Sequence, residues 1–277
     1  MKLSVIIVSW NTAELTIQSV ASVYKQTPGL DFEIFVVDNH SADDSVARLK
    51  KEYPQVRLIE NDDNLGFAKA NNQALALASG DYLMLLNSDV IVQDGAIGKL
   101  VNYLDTHPDV MMVGPRLLNS DGTFQHACRR NLPNPLNSFM HLFGLGKLSA
   151  YKRMNDSPDI SGETEALSGA AMMFRRKVWV DIGGLDETFF MYGEDLDFCK
   201  RILDKGWKTV YVADAKIVHL GGSSTKKRKT KSIANFYEAM WLYWKKHFYK
   251  KYNPVVSFFI WTGIKFRLAI ALILNAL

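Results

Sequence analysis

The sequence predicts an α/β protein: a mostly parallel central sheet flanked by helices, with a C-terminal helical appendage. Three observations predict it. Residues 3–8, 32–37 and 82–86 are short, predominantly apolar runs of the kind that fills a strand covered on both faces, the last of them continuous. Amphipathic segments of helical period separate the runs, the alternation that builds a right-handed parallel sheet. Each run also ends in a polar loop, Ser9-Trp10-Asn11-Thr12, Asp38-Asn39 and Asn87-Ser88-Asp89, and the carboxyl ends of such strands are where open α/β sheets hold ligands.

Composition supports a folded domain. With 277 residues and 48% hydrophobic content the chain can bury a full α/β core, which excludes a disordered or fibrous protein. Cys128 and Cys199 are the two cysteines. They fit neither a disulfide framework nor a zinc cluster, so a reducing, cytoplasmic compartment is expected. The apolar run 3–8 is too short for a signal-peptide core, and the catalytic part is not expected to be exported by a cleaved signal. The net charge of +4 conceals an asymmetry: residues 226–277 carry eleven Lys or Arg against Glu238, or +10, which leaves −6 for residues 1–225.

Taken in order, strand 3–8 leads through the first polar loop to a helix over 14–26, ended by Pro28-Gly29. Strand 32–37, an amphipathic segment around Val46, Leu49 and Tyr53, and strand 56–60 follow. Asn64-Leu65-Gly66-Phe67-Ala68-Lys69-Ala70-Asn71-Asn72 opens a helix to about Ala78 whose small residues allow close packing on the sheet. Lys69, Asn71 and Asn72 can supply donors to a phosphate or sugar there, or serve only as caps. Strand 82–86 then delivers Asp89 to its carboxyl end, where a carboxylate either caps the next helix or suits a hard divalent cation carrying a diphosphate.

A helix over 95–106, a strand over 110–113 and a hairpin turn at Asn119-Ser120-Asp121-Gly122 come next. Residues 129–163 hold three prolines and no sustained periodicity, with a short helix at 139–145. A long irregular insert of this kind reads as an acceptor-side lid. Residues 166–174 form a second buried strand, followed by a helical turn over 177–182. In Gly193-Glu194-Asp195-Leu196-Asp197, the apolar positions Leu196, Cys199, Ile202 and Leu203 share a helical face, which puts Glu194 and Asp195 at a helix N-terminus. Ordinary capping accounts for that cluster taken alone. A late strand over 210–213 precedes Ile217-Val218-His219-Leu220-Gly221-Gly222, which delivers a lone histidine into a glycine loop, where it is either structural or faces the same crevice.

Ser9-Trp10-Asn11, Asp38-Asn39, residues 64–72, Leu86-Asn87-Ser88-Asp89, Gly169, Gly183-Gly184-Leu185-Asp186, Gly193-Glu194-Asp195-Leu196-Asp197 and His219-Leu220-Gly221-Gly222 occur in this order. Over residues 3–225 the chain thereby resembles the family 2 inverting glycosyltransferases, and within them the rhamnosyltransferase-like branch that builds bacterial surface polysaccharides. The resemblance implies a GT-A fold in residues 1–225, with a nucleotide-sugar half (1–115) and an acceptor half (116–225), and sets residues 226–277 apart as a basic, apolar segment. It implies that Asp38 reads a pyrimidine base and ribose, and that Ser9, Asn11, Asn39, Gly66, Lys69, Asn71, Asn87, Ser88 and Asp89 line the nucleotide sugar. It also implies that Asp89 and His219 hold Mn²⁺ or Mg²⁺ against the diphosphate. Where the family has Asp-x-Asp this chain has Asn87-Ser88-Asp89, one carboxylate fewer.

Inverting transfer needs an acceptor hydroxyl deprotonated as it attacks, so a carboxylate must face the leaving group. Asp195 is the expected base, with Glu194 beside it. The implied donor is a nucleoside diphosphate sugar, dTDP-rhamnose before a UDP-sugar, and the implied acceptor a lipid-linked or polysaccharide hydroxyl. Two other readings compete. A sugar-phosphate nucleotidylyltransferase would need a glycine-rich phosphate loop after the first strand, which residues 9–12 lack. A non-catalytic nucleotide-sugar or nucleic-acid binding module would use the basic cluster 226–231, but leaves the acidic crevice without a purpose. No nucleic acid partner is expected.

In the C-terminal segment, Trp241, Tyr243, Trp244, Phe248, Tyr249 and Tyr252 interleave with Lys245, Lys246, Lys250 and Lys251. That mixture suits an anionic headgroup layer, and peripheral association with the inner face of the membrane is expected. Residues 255–277 are long enough to span a bilayer, but Lys265 and Arg267 near the middle favour a helix on the surface. The other use of this segment is packing on the catalytic domain or in a homodimer.

Overall fold

The computed structural model describes residues 2–135, 156–221 and 229–276. The expected short helix at 139–145 and the basic residues 226–228 lie outside the described residues.

Strands β1 (Leu3–Ser9), β2 (Phe32–Asp38), β3 (Arg57–Glu60) and β4 (Tyr82–Asn87) alternate with helices α1 (Ala13–Gln26), α2 (Ser45–Glu52) and α3 (Phe67–Leu77). β1 pairs in parallel with both β2 and β4, and β2 with β3. The chain therefore winds outward from β1 to β3 and crosses back to β4, making a topological switch point between β1 and β4. Register aligns Ser9 with Asp38 and Val8 with Asn87, so three polar strand ends stand in one row.

Beyond β4 the sheet becomes mixed, continuing in order through β10 (Ala171–Arg175), β6 (Val110–Leu118), β11 (Lys208–His219) and β5 (Val90–Val92). A three-residue strand β5 (Val90–Val92), absent from the sequence expectations, follows Asp89 and pairs antiparallel with the end of β11 (Lys208–His219). That pairing sets His219 opposite Val90, next to Asp89. Helix α4 (Ala96–Thr106) precedes β6 (Val110–Leu118), which runs five residues past its expected end because Gly114 and Pro115 continue beside β11. The Asn119–Gly122 turn forms as expected, closed by Asn119 N–H to the Thr123 carbonyl (2.8 Å).

The expected single strand 166–174 is two: β9 (Ala166–Leu167), paired with β7 (Arg129–Arg130), and β10 (Ala171–Arg175), antiparallel to β4 and β6. The break is a turn at Ser168-Gly169-Ala170, closed by Ala171 N–H to the Ser168 carbonyl (3.3 Å). β8 (Gly162–Glu163) joins the sheet at β11. Helices α5 (Arg176–Ile182) and α6 (Glu194–Asp204) complete this half, and α6 buries Phe198, Cys199 and Ile202.

Residues 229–276 form two long helices, α7 (Lys229–His247) and α8 (Pro254–Ala276). Ala239 and Tyr243 of α7 pack with Phe189 of the preceding domain, while Trp244 packs with Ile260 and Ile264 of α8. One helix of the pair docks on the catalytic domain and the other docks on its neighbour.

Candidate active site

The β1 and β2 ends are joined by short polar side chains. Asn11 adopts the left-handed conformation (φ 53°), which asparagine tolerates better than most residues, and its Oδ1 accepts from Ala42 N–H (2.7 Å). Asn11 N–H donates to Ser41 Oγ (2.9 Å), and Ser41 N–H donates to Asp38 Oδ2 (2.9 Å). Asp38 is 2% exposed, and its Oδ1 has no hydrogen-bond partner among the described residues. A buried carboxylate oxygen left in that state is costly, and a ligand N–H or hydroxyl would satisfy it. Ser9, Thr12 and Thr16 share a buried hydroxyl cluster that reaches Ser88 through Thr12 (3.1 Å).

Other residues of the expected nucleotide set are held differently. The Asn39 amide donates to the Gly66 carbonyl (3.1 Å) and the Asn71 amide to the Phe67 carbonyl (2.8 Å), so both engage the protein itself. Lys69 is exposed on α3. Gly66, with φ 85°, has no room for a side chain: a Cβ would stand 2.6 Å from the Phe190 carbonyl oxygen, which accepts from Phe67 N–H (2.8 Å). The α3 N-terminus is thereby clamped to the loop that leads into α6. Asn72 reinforces the clamp, donating to the Leu185 carbonyl (2.8 Å) and accepting from Leu185 N–H (3.0 Å).

At the β4 end, a chain of hydrogen bonds sets the state of His219. Thr123 Oγ donates to Asp121 (2.6 Å), so it accepts from the Asn119 amide (2.9 Å). The Asn119 oxygen then accepts from Gln125 Nε2 (3.0 Å), which turns Gln125 Oε1 toward His219 Nδ1 (2.8 Å). Nδ1 must carry the proton, leaving Nε2 to face Asp89 Oδ1 across 3.3 Å, with the Asn87 amide a long 3.4 Å away. Asp89 Oδ1 and His219 Nε2 stand close enough for one metal ion to be held by both. An imidazole oriented through its second nitrogen beside a carboxylate fits a divalent cation. Among the described residues no group of three or more His, Cys, Asp or Glu gathers, so two protein ligands would leave the remaining positions to phosphate oxygens and water.

The second acidic cluster follows different rules. Gly193 (φ 83°) ends the preceding loop against Phe189 and Ala239 and starts α6. Asp195 Oδ2 forms an ion pair with Arg130 (2.6 Å) and accepts from Gly169 N–H (3.3 Å), while Oδ1 accepts from Leu196 N–H (2.8 Å). Glu194 is 6% exposed with an unpartnered Oε2, and burial, together with the neighbouring Asp195 charge, pushes its carboxyl up to about 8. One neutral and one ionic carboxyl thus stand side by side.

Asp197, fully buried, accepts from Arg201 (2.8 Å), Lys246 (2.7 Å) and His247 (2.8 Å). Burial pushes this carboxyl up, but the bonds from His247 and Lys246 and the Arg201 charge outweigh it and hold it down at about 2. Lys246 also reaches Asp186 (2.5 Å), so α7 is bolted to both α6 and the loop before it.

The two clusters meet at the Ser168-Gly169-Ala170 turn. Gly169 N–H faces Asp195, and the Ala170 carbonyl accepts from Asn87 N–H (2.9 Å). The turn thereby connects the β4 end that carries Asn87 and Asp89 with the helix start that carries Glu194 and Asp195. Sequence reasoning missed Arg130, Gln125, Lys246 and His247. Gln125 sits three residues past a recognised turn, which is a weak signal, and the other three carry none at the level of spacing.

This ordered site sits in a chain whose residues 4–182 match the profile of Glycosyl transferase family 2. The chain is a family 2 glycosyltransferase. Residues 151–277 also match Glycosyl transferase family group 2. The N-acetylglucosaminyl-diphospho-decaprenol L-rhamnosyltransferase of Mycobacterium tuberculosis is 27% identical over 228 residues, 76% of this chain and 73% of that protein. The O-antigen chain rhamnosyltransferase RfbN of Salmonella typhimurium is 26% identical over 227 residues, covering 79% of this chain and 66% of RfbN.

Among solved structures, the mannosyltransferase PcManGT from Pyrobaculum calidifontis, in complex with GDP-Man and Mn²⁺, aligns with a TM-score of 0.61 at 17% identity. It covers 98% of this glycosyltransferase and 72% of that chain. S. aureus TarS 1–349 in complex with UDP aligns with a TM-score of 0.59 at 17% identity over 95% and 70%. The expected GT-A fold and family hold, and family membership disfavours the nucleotidylyltransferase and binding-module alternatives.

Proposed function

We propose that this glycosyltransferase moves a hexose, L-rhamnose from dTDP-rhamnose in the first instance, onto a hydroxyl of a lipid-linked glycan acceptor, with inversion at the anomeric carbon. A UDP-sugar is the second donor candidate. The observation that carries the reading is the Gly169-Ala170 turn, which ties the Asp195 carboxylate and the Asn87–Asp89 strand end to neighbouring backbone groups. Inverting displacement needs a base and a diphosphate site at one sugar carbon, and this turn links the two clusters proposed for those roles. Relatives named as rhamnosyltransferases, one of them for a diphospho-decaprenol acceptor, support the sugar and the acceptor class.

In this mechanism Asp38 Oδ1 accepts from the base or ribose, and Ser88, Asp89 and His219 face the diphosphate. A divalent cation bound by Asp89 and His219 would neutralise charge growing on the leaving diphosphate, and the imidazole ligand favours Mn²⁺ over Mg²⁺. Asp195 takes the acceptor hydroxyl proton as the new C1–O bond forms, and the bond from C1 to the diphosphate oxygen breaks with its electron pair leaving on the diphosphate. Arg130 orients Asp195, and neutral Glu194 adds no second negative charge beside it. The enzyme works on the cytoplasmic side of the membrane, at its surface.

The test offers dTDP-rhamnose, UDP-glucose, UDP-N-acetylglucosamine and GDP-mannose, each with Mn²⁺, to a diphospho-polyprenol-linked N-acetylglucosamine. Transfer from dTDP-rhamnose with an inverted anomeric linkage is expected. Transfer from GDP-mannose alone, or a retained linkage, contradicts the reading.

A further inference from the structure

We infer that α8 is an in-plane membrane helix that lies along the lipid surface and does not cross it, with α7 as the spacer that sets the height of the active site. The inference deepens the lipid-linked acceptor reading above and rests on it. By length and composition α8, with 23 residues, could cross a bilayer. Its packing argues against that. Trp244 Nε1 donates to Ser257 Oγ (3.2 Å) near one end of the pair, and Asn275 donates to Thr230 Oγ (3.1 Å) near the other. α8 therefore runs antiparallel along the whole of α7, and α7 is bolted to the catalytic domain through Lys246 and His247 at Asp197. Crossing the bilayer would require breaking one of these attachments.

The exposed surface of α8 is predominantly apolar and extends beyond one side, with Val256, Trp261 and Leu274 also exposed. At about 100° per residue, Val255, Phe258, Phe259, Phe266, Ala269 and Ile273 fall on one side of the helix. Phe259 and Phe266 are each 67% exposed there, and Phe258 59%. Ser257, Ile260 and Ile264 occupy the opposite side, against α7. Lys265 and Arg267 lie on the two flanks, so the charges that stand near the middle of the sequence segment do not interrupt the apolar face. The turn between the helices adds Tyr249 and Tyr252, both substantially exposed, beside the exposed Lys250 and Lys251.

Charge identifies the occupant of this face as an anionic lipid surface. From residue 239 to the end of the sequence there is no Asp or Glu, against six Lys or Arg. Exposed apolar side chains beside lysines and amphipathic aromatics suit the headgroup boundary of an anionic bilayer, whereas a second copy of the same face would bring like charges together. The geometry gives the arrangement a use. On α7, Trp244 faces α8, while Ala239, Tyr243 and Lys246 face the loop and helix that carry Glu194 and Asp195. Asp197 faces α7 while Asp195, two residues earlier on α6, faces the Gly169 turn, so both α7 and α6 stand between the membrane helix and the proposed base.

The test uses the full-length protein and the variant Phe258→Ser/Phe259→Ser/Phe266→Ser, whose changed side chains are all exposed. Flotation with vesicles of phosphatidylcholine alone or with phosphatidylglycerol should recover the unchanged protein with anionic vesicles and release it in alkaline carbonate. The triple variant should float at least about tenfold less. Multi-angle light scattering runs in parallel. Failure of the unchanged protein to float, equal flotation of the variant, retention through carbonate, or a dimer that the triple substitution dissociates would each overturn the inference. Thermal shift by dTDP-rhamnose, measured without vesicles, reports the donor reading separately. A protein that floats as expected but gains no stability from any nucleotide sugar would condemn the donor reading and leave the membrane helix standing.

Discussion

The two sides of the cleft are held together by different bonds. On the Asp38–Asp89 side, neutral amides and hydroxyls join the ends of neighbouring parallel strands, and strand register does most of the positioning. On the Asp195 side every ionised carboxylate has a cation: Arg130 on Asp195, and Arg201, Lys246 and His247 on Asp197. Ion pairs hold a base in one orientation and one charge state. The difference matches the proposed division of labour, donor diphosphate on one side and proton acceptance on the other.

That comparison can be broken first at Asp195. Asp195→Asn keeps the shape and the Gly169 contact but removes the proton acceptor, so turnover should fall by about 10²-fold or more. If Glu194→Gln is the inactive variant and Asp195→Asn remains active, the base moves by one residue.

Next in size is a stability effect. Asp197→Asn leaves Arg201, Lys246 and His247 around a neutral amide; with Lys246 partly screened by water, the cost should be about 3 kcal/mol, read as a lower Tm. Because the fold depresses the Asp197 carboxyl to about 2, its contribution is complete above the ordinary carboxylate range near pH 4 and disappears as pH falls toward 2. The gap in Tm between the two proteins should be constant from pH 7 to about pH 5 and close below pH 3. A gap that widens on acidification would contradict the ion-pair account.

On the donor side, Gln125→Leu removes the acceptor that orients His219. Mn²⁺ affinity, measured by electron paramagnetic resonance with nucleotide present, should weaken by about tenfold, the usual size of such an effect. Unchanged affinity would mean that His219 is not a ligand.

The smallest effect is expected at Glu194. Held neutral by burial at pH 7, it should be replaced by Gln with less than about a threefold change in turnover. Its raised value means the folded state holds the proton more tightly than the unfolded chain. That contribution is full below about pH 4.5 and lost as pH rises through about 8, so the Tm of Glu194→Gln relative to the unchanged protein should climb progressively between about pH 4.5 and 8 and level off above that.

The donor side was the more legible of the two in the sequence, for a physical reason. Strand runs and the polar residues after them are local features, and parallel register brings Ser9, Asp38 and Asn87 together without further information. The acceptor side depends on partners far apart in the chain. Arg130 lies 65 residues from Asp195, and His247 lies 50 from Asp197. Nothing in the spacing of Arg129-Arg130 distinguishes the arginine that meets Asp195 from its neighbour, which binds the Asp156 and Ser157 carbonyls. Lys246 and His247 read as members of a basic, aromatic segment set apart at residue 226, whereas α7 packs as part of the catalytic architecture. The break of strand 166–174 escaped the hydrophobic pattern for a related reason, since the turn at Gly169 is stabilised by Asp195 from a distant helix.

The most direct measurement is donor binding, followed by calorimetry with dTDP-rhamnose and Mn²⁺, for Asp89→Ala and Asp195→Asn side by side. If the cleft is divided as described, Asp89→Ala should lose metal-dependent binding while Asp195→Asn binds as the unchanged protein does, although neither turns over. Equal loss in both variants, or full Mn²⁺-dependent binding by Asp89→Ala, would contradict the account.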